Sequence, residues 1–358
     1  ALMWAAAEGN LEVVDALLEA GADFTTPLPS GFTPLFFAVR EGRTEVALRL
    51  LKAGLDVNAP LQRGGVNAAK PKRGGPNPLI LAVENGHFET ALALVKAGAE
   101  PDAQPAGYGA LHAISWVRKP IRGDGNPPPI GSGKVTSLQF VRALVAAGAD
   151  VNLPLAAGAS GFADFTTTGA SPLVLAARTG DLPLLSLLLE LGADPKRTNA
   201  DGSTALLAAA GIGDLGSGDE SAGTEDEAIA TIELLLKLGL DVNVVDANGE
   251  TAMHGAAYQN WPKLIEYLTK HGADIKVWNR KNRWGWTPLL IAQGYRKGNF
   301  RPDVATITTL ERIMRAAGVT PPAPGKDVTA NQQSWDQKKP EPKKPEGKKP
   351  ELKKSDEM

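Results

Sequence analysis

One short string recurs along the chain and leaves it few ways to fold. It reads Gly-Ala-Asp or a close variant, at Gly21-Ala22-Asp23, Gly54-Leu55-Asp56, Gly98-Ala99-Glu100, Gly148-Ala149-Asp150, Gly192-Ala193-Asp194, Gly239-Leu240-Asp241 and Gly272-Ala273-Asp274, with a degenerate Gly318-Val319. A leucine-rich run comes before it, as in Leu187-Leu188-Leu189-Glu190-Leu191 and Leu234-Leu235-Leu236-Lys237-Leu238. A glycine after such a run reads as a helix stop, where φ turns positive and a Cβ is penalised. Successive glycines lie 33, 44, 50, 44, 47, 33 and 46 residues apart. The two intervals of 33 set the basic unit, and the longer ones carry insertions.

A second string follows each boundary by about a dozen residues. It is Thr33-Pro34-Leu35-Phe36-Phe37-Ala38, Ser171-Pro172-Leu173-Val174-Leu175-Ala176, Thr251-Ala252-Met253-His254-Gly255-Ala256-Ala257 and Thr287-Pro288-Leu289-Leu290-Ile291-Ala292. Thr or Ser before Pro reads as N-cap and first helical residue, and the small alanines let this helix pack closely on the next. A repeat of 33 residues with a Thr-Pro-Leu-His type start and a Gly-Ala-Asp close resembles the ankyrin repeat family, over about residues 1 to 320. The resemblance implies an all-α solenoid of eight helix-turn-helix units with finger loops. Their bounds are about 1–30, 31–75, 76–107, 108–169, 170–202, 203–249, 250–285 and 286–320. No unit can bury its apolar face alone, so stacking makes the core.

The ends differ. Leu2 to Ala7 align inside a first helix without a preceding finger, and the chain starts with Ala, so we expect a piece of a longer protein. The last second helix, Val304 to Ala317, carries Thr306, Thr308, Thr309, Glu311, Arg312 and Arg315, a polar face suited to ending a stack. Residues 321–358 repeat Lys-Lys-Pro-Glu and hold almost nothing apolar, which predicts a disordered or polyproline-like tail.

Insertions map to the edges of a solenoid and often to its binding face. Two lengthen fingers, Ala59 to Pro76 and Leu153 to Ala170, and a third finger, Lys276 to Gly285, is slightly extended. Three fall between the helices of a unit, Val117 to Val135, Ile212 to Glu227 and Tyr295 to Asp303. The first finger is basic, with Arg63, Lys70, Lys72 and Arg73. The loop after Gly211 is acidic, with Asp214, Asp219, Glu220, Glu225, Asp226 and Glu227, but lacks the order of a calcium loop and reads as a solvated loop.

Chemistry is sparse. With no cysteine among 358 residues there is no disulfide framework, thiol nucleophile or Cys-ligated metal. The four histidines, His87, His112, His254 and His271, fall where ankyrin repeats commonly place them, and none forms an i, i+4 metal pair. Gly131-Ser132-Gly133-Lys134 lacks the spacing and the preceding strand of a phosphate loop. The recurring Asp residues read as turns. We therefore expect no enzyme, no cofactor and no metal. Apolar runs stay short of the roughly 18 residues of a membrane span. The absence of Cys fits either a cytoplasmic or an exported protein, and long Gly/Pro-rich insertions look like bacterial ankyrin proteins.

What remains is a binding surface. The resemblance places the ends of the first helices and the fingers on a concave face. Candidate partner-binding residues are Arg40, Trp116, Arg178, Tyr258 and Tyr295 on the helix ends and Trp278, Arg280 and Trp284 in the last finger. Aromatics and Arg dominate interface energetics, and repeat packing does not need them there. Trp261 and Trp286 read as packing residues. A protein or peptide partner is the expectation, bound by a monomer. The basic and aromatic cluster between Trp261 and Arg301 keeps glycan or nucleic-acid binding as an alternative, of which the net charge of −2 disfavours nucleic acid, and a regulatory part of a larger protein whose upstream region is missing is another.

Overall fold

The computed structural model describes residues 1–62, 74–120, 128–159, 164–213, 223–296 and 301–322. Among these residues the chain forms seventeen helices and no strand. The first helices of the successive units are α1 (Leu2–Glu8), α3 (Pro34–Arg40), α5 (Pro78–Glu84), α7 (Ala110–Arg118), α9 (Pro172–Arg178), α11 (Ala205–Ala209), α13 (Ala252–Tyr258) and α16 (Pro288–Ala292). Their second helices are α2 (Leu11–Glu19), α4 (Thr44–Lys52), α6 (Phe88–Lys96), α8 (Ser137–Ala146), α10 (Leu182–Glu190), α12 (Glu225–Lys237), α14 (Pro262–Lys270) and α17 (Val304–Ala316). A single turn, α15 (Ile275–Trp278), lies in the last finger.

Local chemistry sets these bounds. Pro34, Pro78, Pro172 and Pro288 occupy first-turn positions, where a missing N–H costs nothing. The side chains of Asn77, Ser171, Thr204 and Thr287 cap their helices by accepting backbone N–H groups. In α7 and α13 histidine takes part: Gly109 N–H donates to His112 Nδ1 at 3.1 Å and Thr251 N–H to His254 Nδ1 at 3.2 Å. At the other end of each repeat the closing glycine has φ between 73° (Gly318) and 114° (Gly54), with open space where a Cβ would go. Conformation, not crowding, demands glycine there.

First helices pack on first helices and second helices on second helices along the whole stack. Ala38, Ala82, Ala176, Ala256 and Ala292, at one register of the first helices, are buried. At Gly255 even alanine is excluded, because a Cβ would lie 2.5 Å from the Ala210 carbonyl oxygen. The second helices bury one side only, as an amphipathic outer row does.

The recurring Asp residues are turns, as expected: Asp56, Asp150, Asp194, Asp241 and Asp274 each accept the N–H two residues on, at 2.8–2.9 Å. Two residues after the Asp, an Asn ties one finger to the next. Asn58 donates to Gly98 O and accepts from Glu100 N–H; Asn152 does the same with Gly192 and Asp194, and Asn243 with Gly272 and Asp274.

Two insertions are structural straps. The Leu153–Ala170 finger is closed at its base by Leu155 N–H to Ala170 O and Gly169 N–H to Leu155 O, at 3.0 and 2.8 Å. Phe165, in the same finger, lies just past the C-terminal end of α11, where its N–H donates to Gly213 O at 2.9 Å. The end of the Val117–Val135 insertion lies against the preceding unit: Ser132 N–H donates to His87 Nδ1 at 3.0 Å and Lys134 N–H to Glu89 Oε1 at 2.6 Å. Gly131 lies so close to Gly86 that a Cβ would meet the Gly86 carbonyl oxygen at 1.8 Å. The amides of Ser132 and Lys134 thus serve the chain itself.

Two expectations, of a loop and of the last helix, are corrected. The acidic loop ends earlier than expected, because Glu225, Asp226 and Glu227 form the first turn of α12, capped by Thr224. Acids at a helix N-terminus are stabilised by its dipole. Each has a partner: Glu227 pairs with Lys119 at 2.6 Å, Asp226 with Lys263 at 3.3 Å, and Glu225 accepts Leu264 N–H at 3.0 Å. Asp214, Asp219 and Glu220 lie outside the described residues, as do the basic finger residues Arg63, Lys70, Lys72 and Arg73 and the tail from residue 323. On α17, Thr306 is buried rather than part of an outer polar face, and Arg312 reaches Glu266 of α14 at 2.6 Å.

Candidate protein-docking face

The C-terminal ends of the first helices put one residue per unit at the same place: Ala7, Arg40, Glu84, Trp116, Arg178, Gly211, Tyr258 and Gly294. Their fates differ along the stack. Arg40 is exposed, and its guanidinium lies 5.4 Å from the Phe32 ring and 5.2 Å from the Phe37 ring, with Glu41 Oε1 at 2.8 Å from its Nε. Trp116 is half-buried and meets Tyr108 edge-on, with ring centroids 5.0 Å apart. The Tyr108 hydroxyl donates to Glu84 at 2.6 Å. These groups form an aromatic and charged surface over the second to fourth units.

Sequence reasoning missed Trp4. It is 74% exposed on α1, the most exposed aromatic side chain among the described residues, and takes the register that Phe37 takes on α3. The signal was present in the alignment of Leu2-Met3-Trp4-Ala5 with Leu35-Phe36-Phe37-Ala38. Phe32 and Tyr108 precede the helix starts and pack at the finger side of the same surface.

Tyr258 and Trp278 must be corrected: neither faces solvent. Tyr258 is 0% exposed and Trp278 only 2%. Tyr258 belongs to a buried polar cluster between the last fingers. Tyr258 donates its hydroxyl proton to Glu250 Oε1 at 2.8 Å, and Asn282 Nδ2 donates to the same oxygen at 3.1 Å. Asn282 Oδ1 in turn accepts the N–H groups of Trp284 and Trp286, and Arg296 donates to the Tyr258 carbonyl. Burial, reinforced by the charge of Asp246, pushes Glu250 up to about 7, and burial lowers Arg296 to about 10. Tyr258 is raised by burial and by the same carboxylate.

Of the remaining last-finger residues, Arg280 is exposed but turns its Nε to Lys276 O at 2.8 Å, while Trp284 and Tyr295 are half-buried. Trp284 leans on Trp286, with centroids 5.9 Å apart. Arg178 is half-buried, its guanidinium 5.0 Å over the Phe165 ring of the Leu153–Ala170 finger.

The histidines serve structure. His112 Nε2–H donates to Leu153 O at 2.9 Å and His254 Nε2–H to Arg280 O at 3.1 Å, each reaching the finger that follows. Burial lowers both to about 4. His87 joins the second strap to Arg40 O at 2.8 Å, and His271 stacks on Tyr267. Among the described residues no group of three or more His, Asp or Glu could hold a metal ion, and no helix is long and apolar enough to cross a membrane.

A family model described as ankyrin repeats (3 copies) matches residues 2–105 and 222–301, more than half of the chain. A second, ankyrin repeats (many copies), matches residues 173–217. The chain belongs to the ankyrin repeat family. Ankyrin repeats are generally protein–protein interaction modules and typically not enzymes. No match was found among curated proteins. The family assignment agrees with the paired helices, the positive-φ glycines and the finger ladder. It also covers the first unit, where Trp4 sits.

Proposed function

We propose that this ankyrin repeat chain is a non-catalytic protein-binding module, and that its partner docks on the first-helix face of units one to four. The observation that carries the reading is an exposed Trp4 beside the Arg40, Phe37 and Phe32 cluster, followed along the stack by the half-buried Trp116. Rigid aromatics and arginine on a preformed surface bind with little ordering loss. The half-buried Trp284 and Tyr295, with Arg280, offer a second contact at the last finger. The buried Tyr258 and Trp278 support the stack and do not touch the partner.

The test is affinity capture from the source organism with the full chain as bait, beside a Trp4→Ala/Arg40→Ala/Trp116→Ala bait of matched circular dichroism. The proposal expects a protein retained by the first bait and lost from the second. Equal retention by both baits, or retention of polysaccharide alone, contradicts it.

A further inference from the structure

The Leu153–Ala170 finger behaves as a ligand of its own chain. Two repeat intervals of 33 residues do without it, so the helices of a unit do not need it. Its base is closed by the Leu155–Ala170 pair, and what extends beyond is an added element. Yet Phe165, at its far end, is only 4% exposed. The ring lies under the Arg178 guanidinium of α9, at 5.0 Å.

The backbone is held as firmly as the ring. Phe165 N–H donates to Gly213 O at 2.9 Å, Thr166 O accepts Asn199 Nδ2 at 2.7 Å, and Thr168 O accepts Ala200 N–H at 2.9 Å. The receiving groups belong to the fifth and sixth units and to the finger between them. Asn199 is itself buried. Gly213 is shaped for this contact: φ is +62°, and a Cβ there would sit 2.3 Å from Phe165 N. Main-chain hydrogen bonds with one anchored side chain are how a surface holds an extended peptide of loosely defined sequence.

We propose that the first-helix face of the fifth and sixth units is a peptide-binding site filled in cis by residues 164–168, and that it accepts in trans an extended segment carrying an aromatic side chain. This rests on the reading of the first-helix face as the docking face. The resident segment names the ligand chemistry: an aromatic ring for Arg178, a backbone N–H for Gly213 O, and two carbonyls for Asn199 and Ala200. A tethered occupant competes at an effective concentration on the order of millimolar, so only a partner segment that binds well enough displaces it.

The probe is a blocked synthetic hexapeptide with the sequence of residues 164–169, read by fluorescence anisotropy against the full chain. Phe165→Ala, which weakens the resident segment, is expected to bind the probe about tenfold or more tightly than the unaltered chain does. Adding Arg178→Ala is expected to abolish that gain, and a probe with Ala in place of Phe should bind neither protein. Equal affinity of the unaltered chain and Phe165→Ala, no binding by a folded Phe165→Ala chain, or indifference to Arg178→Ala overturns the proposal. Hydrogen exchange of the unaltered chain tests it without a variant: the Phe165 amide should exchange faster when the probe is present at millimolar concentration, and an unchanged rate overturns it. If the peptide fails to bind while partner capture still depends on Trp4, Arg40 and Trp116, this inference fails alone. If the peptide binds but no such partner exists, the broader reading fails instead.

Discussion

Arg40 and Arg178 end equivalent helices at the same register, and the chain treats them oppositely. Arg40 is exposed beside two phenylalanine rings from its own unit. Arg178 is half-buried and lies over Phe165, a ring brought in by an insertion that starts in the preceding finger. Periodicity makes each unit able to offer the same surface. Among the described residues an insertion occupies that register at Arg178 and none does at Arg40, which is why we propose the docking face over the early repeats. A third region, around Tyr258, is closed by packing and buried polar groups.

The largest expected effect sets the closed region against the free one. Tyr258→Ala should destabilise the chain by about 3–5 kcal/mol, as large-to-small changes in a packed core do. Trp116→Ala, half-exposed, should lose clearly less. Urea unfolding of both variants measures the difference. Equal losses would mean that the two sites are not distinct in burial.

Acid should act on the closed regions next. His112 and His254 are held at about 4, below their usual 6.5, so the unfolded chain binds more protons between those values. Their contribution is present at neutral pH and is lost as pH falls from 6.5 towards 4, by roughly 3 kcal/mol per histidine. Glu250 runs the other way. Held near 7 against a usual 4.5, it contributes fully below 4.5 and loses that contribution as pH rises to 7. Glu250→Gln should therefore be more stable than the unaltered chain at pH 8 and lose that advantage by pH 4.5. Thermal unfolding across that range reads both signs, and an advantage that is independent of pH would contradict the assignment to Glu250.

Glycine substitutions probe the covered middle. Gly21→Ala and Gly213→Ala both force an alanine to positive φ, at about 1–2 kcal/mol each. Gly21 faces open space, so nothing else should change. Gly213→Ala should in addition speed exchange at the Phe165 amide, since the new methyl stands where that amide sits. The smallest effect is at the finger ladder: Asn243→Ala removes two hydrogen bonds and should lose about 1 kcal/mol with no change in partner capture.

The fold was legible because its signals are local. A glycine after a leucine run, a Thr-Pro pair and an Asp turn each act within a few residues, and repetition makes them certain. The site was legible only where it is equally local. Arg40 and Trp116 could be placed by register alone. Tyr258 could not, because its burial depends on Glu250 and Asn282 from two different fingers. The pairing of Arg178 with a ring depends on Phe165 reaching Gly213, where two insertions meet. Insertions have no period, so register says nothing of where they land.

Hydroxyl-radical footprinting of the full chain, read by mass spectrometry at each aromatic residue, tests the division of the face most directly. Trp4 should label strongly and Trp116 measurably, while Phe165, Tyr258 and Trp278 should be protected. Labelling of Phe165 as strong as that of Trp4 would contradict it, because the middle of the face would then be as open as its beginning.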